Sequence, residues 1–141
     1  MGKYSFGKNG PTFNDISMLP ATGTVVTAFN SVTTTATPAV GSCAVQFVFK
    51  DAAGNALTAP VSGLLYLSEV ATGLTQDLAD TSLAVLTNGA LTNLGSAGPS
   101  LFTTTAAGLL GLTITAVADD YWVVFVKPDG TLLISGLCKV N

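Results

Sequence analysis

From Cys43 onward the chain is cut into short apolar-alternating runs, with turn residues roughly every ten positions. That rhythm constrains the fold more than any other feature, because it suits antiparallel strands and little else. Cys43, Val45, Phe47 and Phe49 alternate with Ala44, Gln46, Val48 and Lys50, which turns the first set inward. Asp51-Ala52-Ala53-Gly54-Asn55 is turn chemistry, and Val61 to Glu69 reads as the next strand. Further on, Leu110, Leu112, Ile114 and Ala116 alternate with Gly111, Thr113, Thr115 and Val117. Asp119-Asp120 is a turn signal, followed by a strand from Tyr121 to Lys127 and a tight turn at Pro128-Asp129-Gly130. The run Thr131 to Val140 returns with Leu132, Ile134, Cys138 and Val140 on one face. Upstream, Thr24 to Phe29 and Val32 to Thr37 are rich in β-branched residues, with Pro38 capping or interrupting the second run. The expectation is an all-β protein, an Ig-like or related antiparallel β-sandwich, formed as one domain by residues 21–141.

Two stretches leave alternatives open. Leu83 to Thr87 and Ala90 to Leu94 flank Asn88-Gly89, a strong hairpin signal, although Asp77 to Leu86 also suits a short helix. The run Tyr121 to Val126 is apolar on both faces. Trp122, Val124 and Val126 form the better core set, so Tyr121, Val123 and Phe125 need a cover, from loops or from another subunit.

Residues 1–20 follow no strand or helix period and carry Gly2, Gly7, Gly10, Pro11 and Pro20. They read as an extended N-terminal arm. Its aromatics, Tyr4, Phe6 and Phe13, are unusual for a disordered tail and are candidate anchors on this domain or a neighbour. No apolar signal region opens the chain. The apolar stretch from Ala106 to Ala118 is too short to span a bilayer, so cytosolic synthesis without a membrane partner is expected. Cys43 and Cys138 both fall on inward faces. As a pair they read as buried thiols or as a disulfide, but two thiolates alone make a poor metal site.

Catalytic chemistry is thin. The chain has no His, its five basic residues are all Lys, and only 9% of residues are charged, against about 25% in an ordinary soluble domain. Without His there is no Ser-His-Asp arrangement. The lysines are scattered, and the net charge of −3 argues against a nucleic-acid partner. Asp119-Asp120 reads as turn capping, not a carboxylate pair, and Asp77 with Asp80 supplies too few oxygens for calcium. Gly7-Lys8-Asn9-Gly10-Pro11-Thr12 lacks the spacing and preceding strand of a phosphate loop. No enzyme activity, cofactor or metal is expected. Tyr121, Trp122 and Phe125 are candidate interface or glycan contacts, since an exposed Tyr–Trp pair can stack on a sugar ring.

Val45 to Leu57, with Lys50-Asp51-Ala52-Ala53-Gly54-Asn55 at its turn, is followed by Leu64 to Gly73 ending in Ser68-Glu69-Val70-Ala71-Thr72-Gly73. Together with Gly108 to Ala116 and Tyr121 to Gly130, this series resembles small Ig-like structural proteins encoded by tailed bacteriophages near the major capsid gene. The resemblance covers residues 43–138. Trp122 lies far downstream of Cys43, so the Cys–Trp–Cys spacing of antibody domains is absent. The resemblance implies a virion decoration or cement protein on the outer capsid surface, with the major capsid protein and further copies of itself as partners, commonly as a trimer. It carries no catalytic residues over. A head-fibre or tail module that binds host glycans, and a plain tail or connector subunit, are the alternative readings.

Overall fold

The structure is a computed structural model that describes residues 29–77, 81–94 and 99–141. The arm with Tyr4, Phe6 and Phe13, and the run before Phe29, lie outside the described residues. Ten strands follow in order: β1 (Ser31–Ala39), β2 (Ser42–Lys50), β3 (Ser62–Ser68), β4 (Ser82–Thr87), β5 (Ala90–Asn93), β6 (Ser100–Thr103), β7 (Leu109–Thr115), β8 (Asp119–Val126), β9 (Leu132–Ile134) and β10 (Cys138–Val140). They form two antiparallel sheets. One is ordered β1-β2-β7-β4; the other runs β10-β8-β3-β6-β5, with β9 also paired to β8. The fold is an all-β sandwich.

The alternating patterns of β2 and β7 set the core. Cys43, Val45, Phe47 and Phe49 are fully buried, as are Leu110, Leu112 and Ile114. From the other sheet come Leu65, Leu67, Phe102, Val123 and Phe125. Five phenylalanines knit one end of the core together. Phe49 lies edge-on to Phe29 at 5.0 Å and to Phe125 at 4.9 Å, and stacks on Phe102 at 5.5 Å. Edge-to-face pairs at these distances add to the burial energy.

Four local readings are corrected by the structure. In β8 the inward set is Tyr121, Val123 and Phe125, while Trp122 and Val126 are half-buried on the outer face. The reversal follows from polar matching: the Tyr121 hydroxyl donates to the Val117 carbonyl at 3.1 Å, so the tyrosine can be buried without an orphaned group. Asp119 and Asp120 open β8 and do not form a turn. Asn88 and Gly89 do turn tightly, with φ of 30° and 89°, but β4 and β5 belong to different sheets. The turn is a crossover, not a hairpin, and Ser82–Thr87 is strand, not helix.

The fourth correction concerns the C-terminal run. Leu132 and Ile134 pair with Val126 and Val124 on the outer face, whereas Cys138 and Val140 face the core. Ser135 makes the break. Its amide bonds the Val123 carbonyl, and its hydroxyl accepts the Val123 N–H at 2.9 Å, standing in for a ladder bond. Residues 135–137 thereby shift phase, and β10 reaches β1. Asn141 donates to the Ala39 carbonyl and accepts from the Gly41 amide, at 3.0 and 2.9 Å.

Candidate functional site

Register across the six-stranded sheet brings together residues of four strands, three of them well separated in sequence and the fourth, β9, following β8 after a short turn. On its outer face Leu64 stands opposite Leu101 on one side and Val126 on the other, and Val126 stands opposite Leu132. The result is one row, Leu101–Leu64–Val126–Leu132, running across β6, β3, β8 and β9. Directly paired residues in a sheet share a face, so no rotamer choice separates them. Leu101 is 46% exposed, Leu132 37% and Leu64 36%.

Beside the row, residues 69–77 form a strap over the next rank, Tyr66–Val124–Ile134. It is pinned at three points. Ser68 bonds back to Val70, the Tyr66 hydroxyl donates to the Gly73 carbonyl at 2.6 Å, and the Asp77 amide returns to the Leu67 carbonyl at 2.8 Å. Gly73 makes the close approach: at φ +68° a Cβ there would lie 2.9 Å from Val124 Cγ2 and 3.1 Å from Ile134 Cδ1. Glycine alone fits that conformation and that gap. The strap buries Val124 and presents Leu74 outward, 78% exposed, with Val70 also open.

The aliphatic row itself carries no charge, while the strap beside it begins with Glu69 and ends with Asp77. Among the described residues the charged side chains lie in turns or near strand ends. Lys50, Asp51, Lys127 and Asp129 gather at one end of the sandwich. At the other end Asp120 meets Lys139 at 3.3 Å, both well exposed, and Glu69, Asp77 and Asp119 surround Tyr121. Burial first, then the charges of Asp77, Glu69 and Asp119, push the Tyr121 hydroxyl up to about 12. Burial, and then Asp77, raise the Glu69 carboxyl. No group of three or more metal-ligating side chains occurs among the described residues.

The residues singled out from sequence fall in different places. Tyr121 and Phe125 are fully buried, so neither offers a surface to a sugar or a neighbour, and the Tyr121–Trp122 stacking pair is not formed. Trp122 is half-buried on the outer face, opposite Ser68. Cys43 and Cys138 are free, buried thiols. Burial raises both, Cys138 to about 11, where the Ser135 hydroxyl partly offsets it and the Cys43 charge adds to it. Sequence reading missed the aliphatic row and the strap. The one local signal for them is that β3 and β8 carry large apolar residues on both faces.

No protein-family model matches the sequence, and no curated protein does. The fold is similar to the cohesin module of a family 33 glycoside hydrolase from Clostridium perfringens, with a TM-score of 0.42 and 8% identity. That likeness covers 79% of this chain and 97% of the module.

Proposed function

We propose that this chain is a non-enzymatic bacteriophage virion structural protein, a decoration or cement protein that binds the outer capsid surface and stabilises the shell. In this reading it is made in the host cytoplasm and ends on the virion, with the major capsid protein as partner. The observation that carries the reading is the series of turn and strand motifs over residues 43–138 that resembles such proteins. The distribution of charge supports it. Many copies crowded on one shell repel less when their broad faces carry no charge, and exposed Thr and Ser hydroxyls bond across a contact at small desolvation cost. The arm, with Tyr4, Phe6 and Phe13, would add several weak contacts to neighbouring subunits and raise the effective affinity.

The test is to purify virions of the phage that carries the gene and to quantify the chain on the heads by mass spectrometry. Many copies per head are expected. Heads that lack the protein would refute the reading. Re-addition of full-length chain and of residues 21–141 to stripped heads tests the arm separately. Equal occupancy by both would remove the anchoring role and leave the rest standing.

A further inference from the structure

We propose that Cys43 and Cys138 form a redox latch: oxidation joins them in a disulfide that ties the last strand, β10, to β2 of the facing sheet. The fold first brings these two strands together. The Gly136 amide donates to the Thr34 hydroxyl at 2.9 Å, and the Asn141 amide to the Ala39 carbonyl at 3.0 Å. Residues 136–141 therefore run beside residues 34–39, in the same direction and in step. The Gly41 amide closes onto the Asn141 carbonyl at 2.9 Å, so β10 ends against the turn from which β2 starts. At this corner Cα atoms of β10 come within 8 Å of those of β2. Stacked sheets ordinarily stand about 10 Å apart, so the sandwich is pinched here.

Register puts both thiols at the pinch. Cys43 is the first inward residue of β2 and Cys138 the first of β10, and both are fully buried. The step set by Gly136 and Thr34 brings Cys138 level with Ala36, two residues before the Pro38 that pairs with Cys43. The β1 side chain at that level is a single methyl. The Cys43 charge is felt at Cys138, as between near neighbours. Neither sulfur has a strong partner to give up. Cys43 Sγ reaches the Ala44 carbonyl at 3.8 Å, and Cys138 Sγ the Gly136 carbonyl at 3.5 Å and the Ser135 hydroxyl at 3.9 Å. These are long contacts of a weak donor. A disulfide needs Cα atoms about 4.4–6.8 Å apart, and β10, three residues long, is the element that would move to reach that spacing.

The chemistry is thiol–disulfide exchange with a small disulfide such as oxidised glutathione. Burial holds both cysteines as thiols, so the reaction waits for β10 to open. Cys138 then loses its proton to water, and its thiolate attacks one sulfur of the small disulfide and expels one glutathione thiolate. Cys43 does the same to the Cys138 sulfur of the mixed disulfide and expels the second. Each expelled thiolate takes up the proton that a cysteine released. The two cysteines are oxidised, and the small disulfide is reduced to two thiols. A reducing cytosol keeps the latch open, and oxidising surroundings close it. The inference rests on β2 and β10 alone and holds whether or not the chain binds a capsid.

The test uses the full chain, reduced and then equilibrated with oxidised glutathione until its free thiols stop changing. The expected product is a single chain lighter by two hydrogens, whose digest holds one pair of peptides linked through Cys43 and Cys138. Closing a loop of roughly 95 residues should raise the melting midpoint by on the order of 10 °C over the reduced chain. Hydrogen exchange at residues 138–141 should slow as well. Cys43→Ala and Cys138→Ala should show no such rise under the same treatment. Glutathione left on either cysteine as the end product, or a link to a second copy, would overturn the proposal. So would thiols that stay free although the unfolded chain reacts, a linked chain that melts no higher than the reduced one, or a rise that survives in either alanine variant. The wild-type masses and melting points decide even where an alanine variant fails to fold.

Discussion

The outer face of the four-stranded sheet and that of the six-stranded sheet solve the same problem in opposite ways. On the first, register aligns Thr33, Thr35 and Thr37 of β1 with Val48, Gln46 and Ala44 of β2, and Ala44 with Thr113 of β7. Threonine suits a pleated strand and carries its own hydroxyl into water, so this face is soluble without charge. The second face instead keeps aliphatic side chains and covers half of them with its own strap. Low charge therefore does not mean one kind of surface: one face is finished, and the other still has apolar area to bury.

One substitution made on each face tests that contrast most sharply. Gly73→Ala sets a Cβ 2.9 Å from Val124 Cγ2 at a positive φ, where neither the backbone nor the packed neighbours can give easily. A loss of about 2–4 kcal/mol is expected in denaturant unfolding. Gly111→Ala on the threonine face also brings a Cβ close, 2.8 Å from Gln46 Nε2 and 2.9 Å from Thr87 Cγ2, but at an ordinary φ, where the Gln46 amide can swing away and only the Thr87 methyl must shift. There the cost should be smaller, about 1–2 kcal/mol. Equal costs would mean that the strap is no more tightly fitted than the open face.

The strap's pin gives the next, smaller effect. Tyr66→Phe removes the 2.6 Å bond to the Gly73 carbonyl and little else. A loss of about 1 kcal/mol is expected. Faster hydrogen exchange should be confined to residues 69–77, as the loop opens without the sheet. Unchanged exchange in that segment would show that Ser68 and Asp77 hold the strap without the tyrosine.

How much of this was legible depended on whether a pattern was local. The strands β2 and β7 each bury one face against the core, so their alternation gave their inward sets directly. The strand β8 is apolar on both faces because the strap covers Val124 on its far side, and a period of two cannot say which face is the core. The Asn88-Gly89 turn was correctly placed, yet turn chemistry fixes only the reversal of the chain. Which sheet each arm joins is settled by partners far away, β7 for one and β6 for the other. The phase shift at Ser135 was invisible because a serine hydroxyl there replaces a backbone bond. The aliphatic row was out of reach for the same reason as the crossover: Val126 and Leu132 face each other across a local turn, but Leu64 and Leu101 join them only through long-range register.

The smallest expected effect separates the two ends of the sandwich by the sign of their response to acid. At one end Asp51 accepts the Asn55 and Ala53 amides at 2.8 and 2.9 Å, and Asp129 accepts the Thr131 hydroxyl and amide at 2.7 and 3.0 Å. These bonds favour the carboxylates and hold both below the ordinary value of 3.8. Their stabilising contribution is complete above that value and is lost as pH falls through the lowered folded values. At the other end, burial and Asp77 raise Glu69 above its ordinary 4.5. The folded chain therefore takes up that proton more readily than the unfolded chain, and a penalty present at neutral pH is relieved as pH falls through the raised value. Melting temperature should rise slightly as acid is added and then decline below pH 3.8. Glu69→Gln should flatten the rise and keep the decline, whereas Asp51→Asn with Asp129→Asn should do the reverse. Identical profiles for Glu69→Gln and wild type above pH 4.5 would show that the acidic end is as well solvated as the turns.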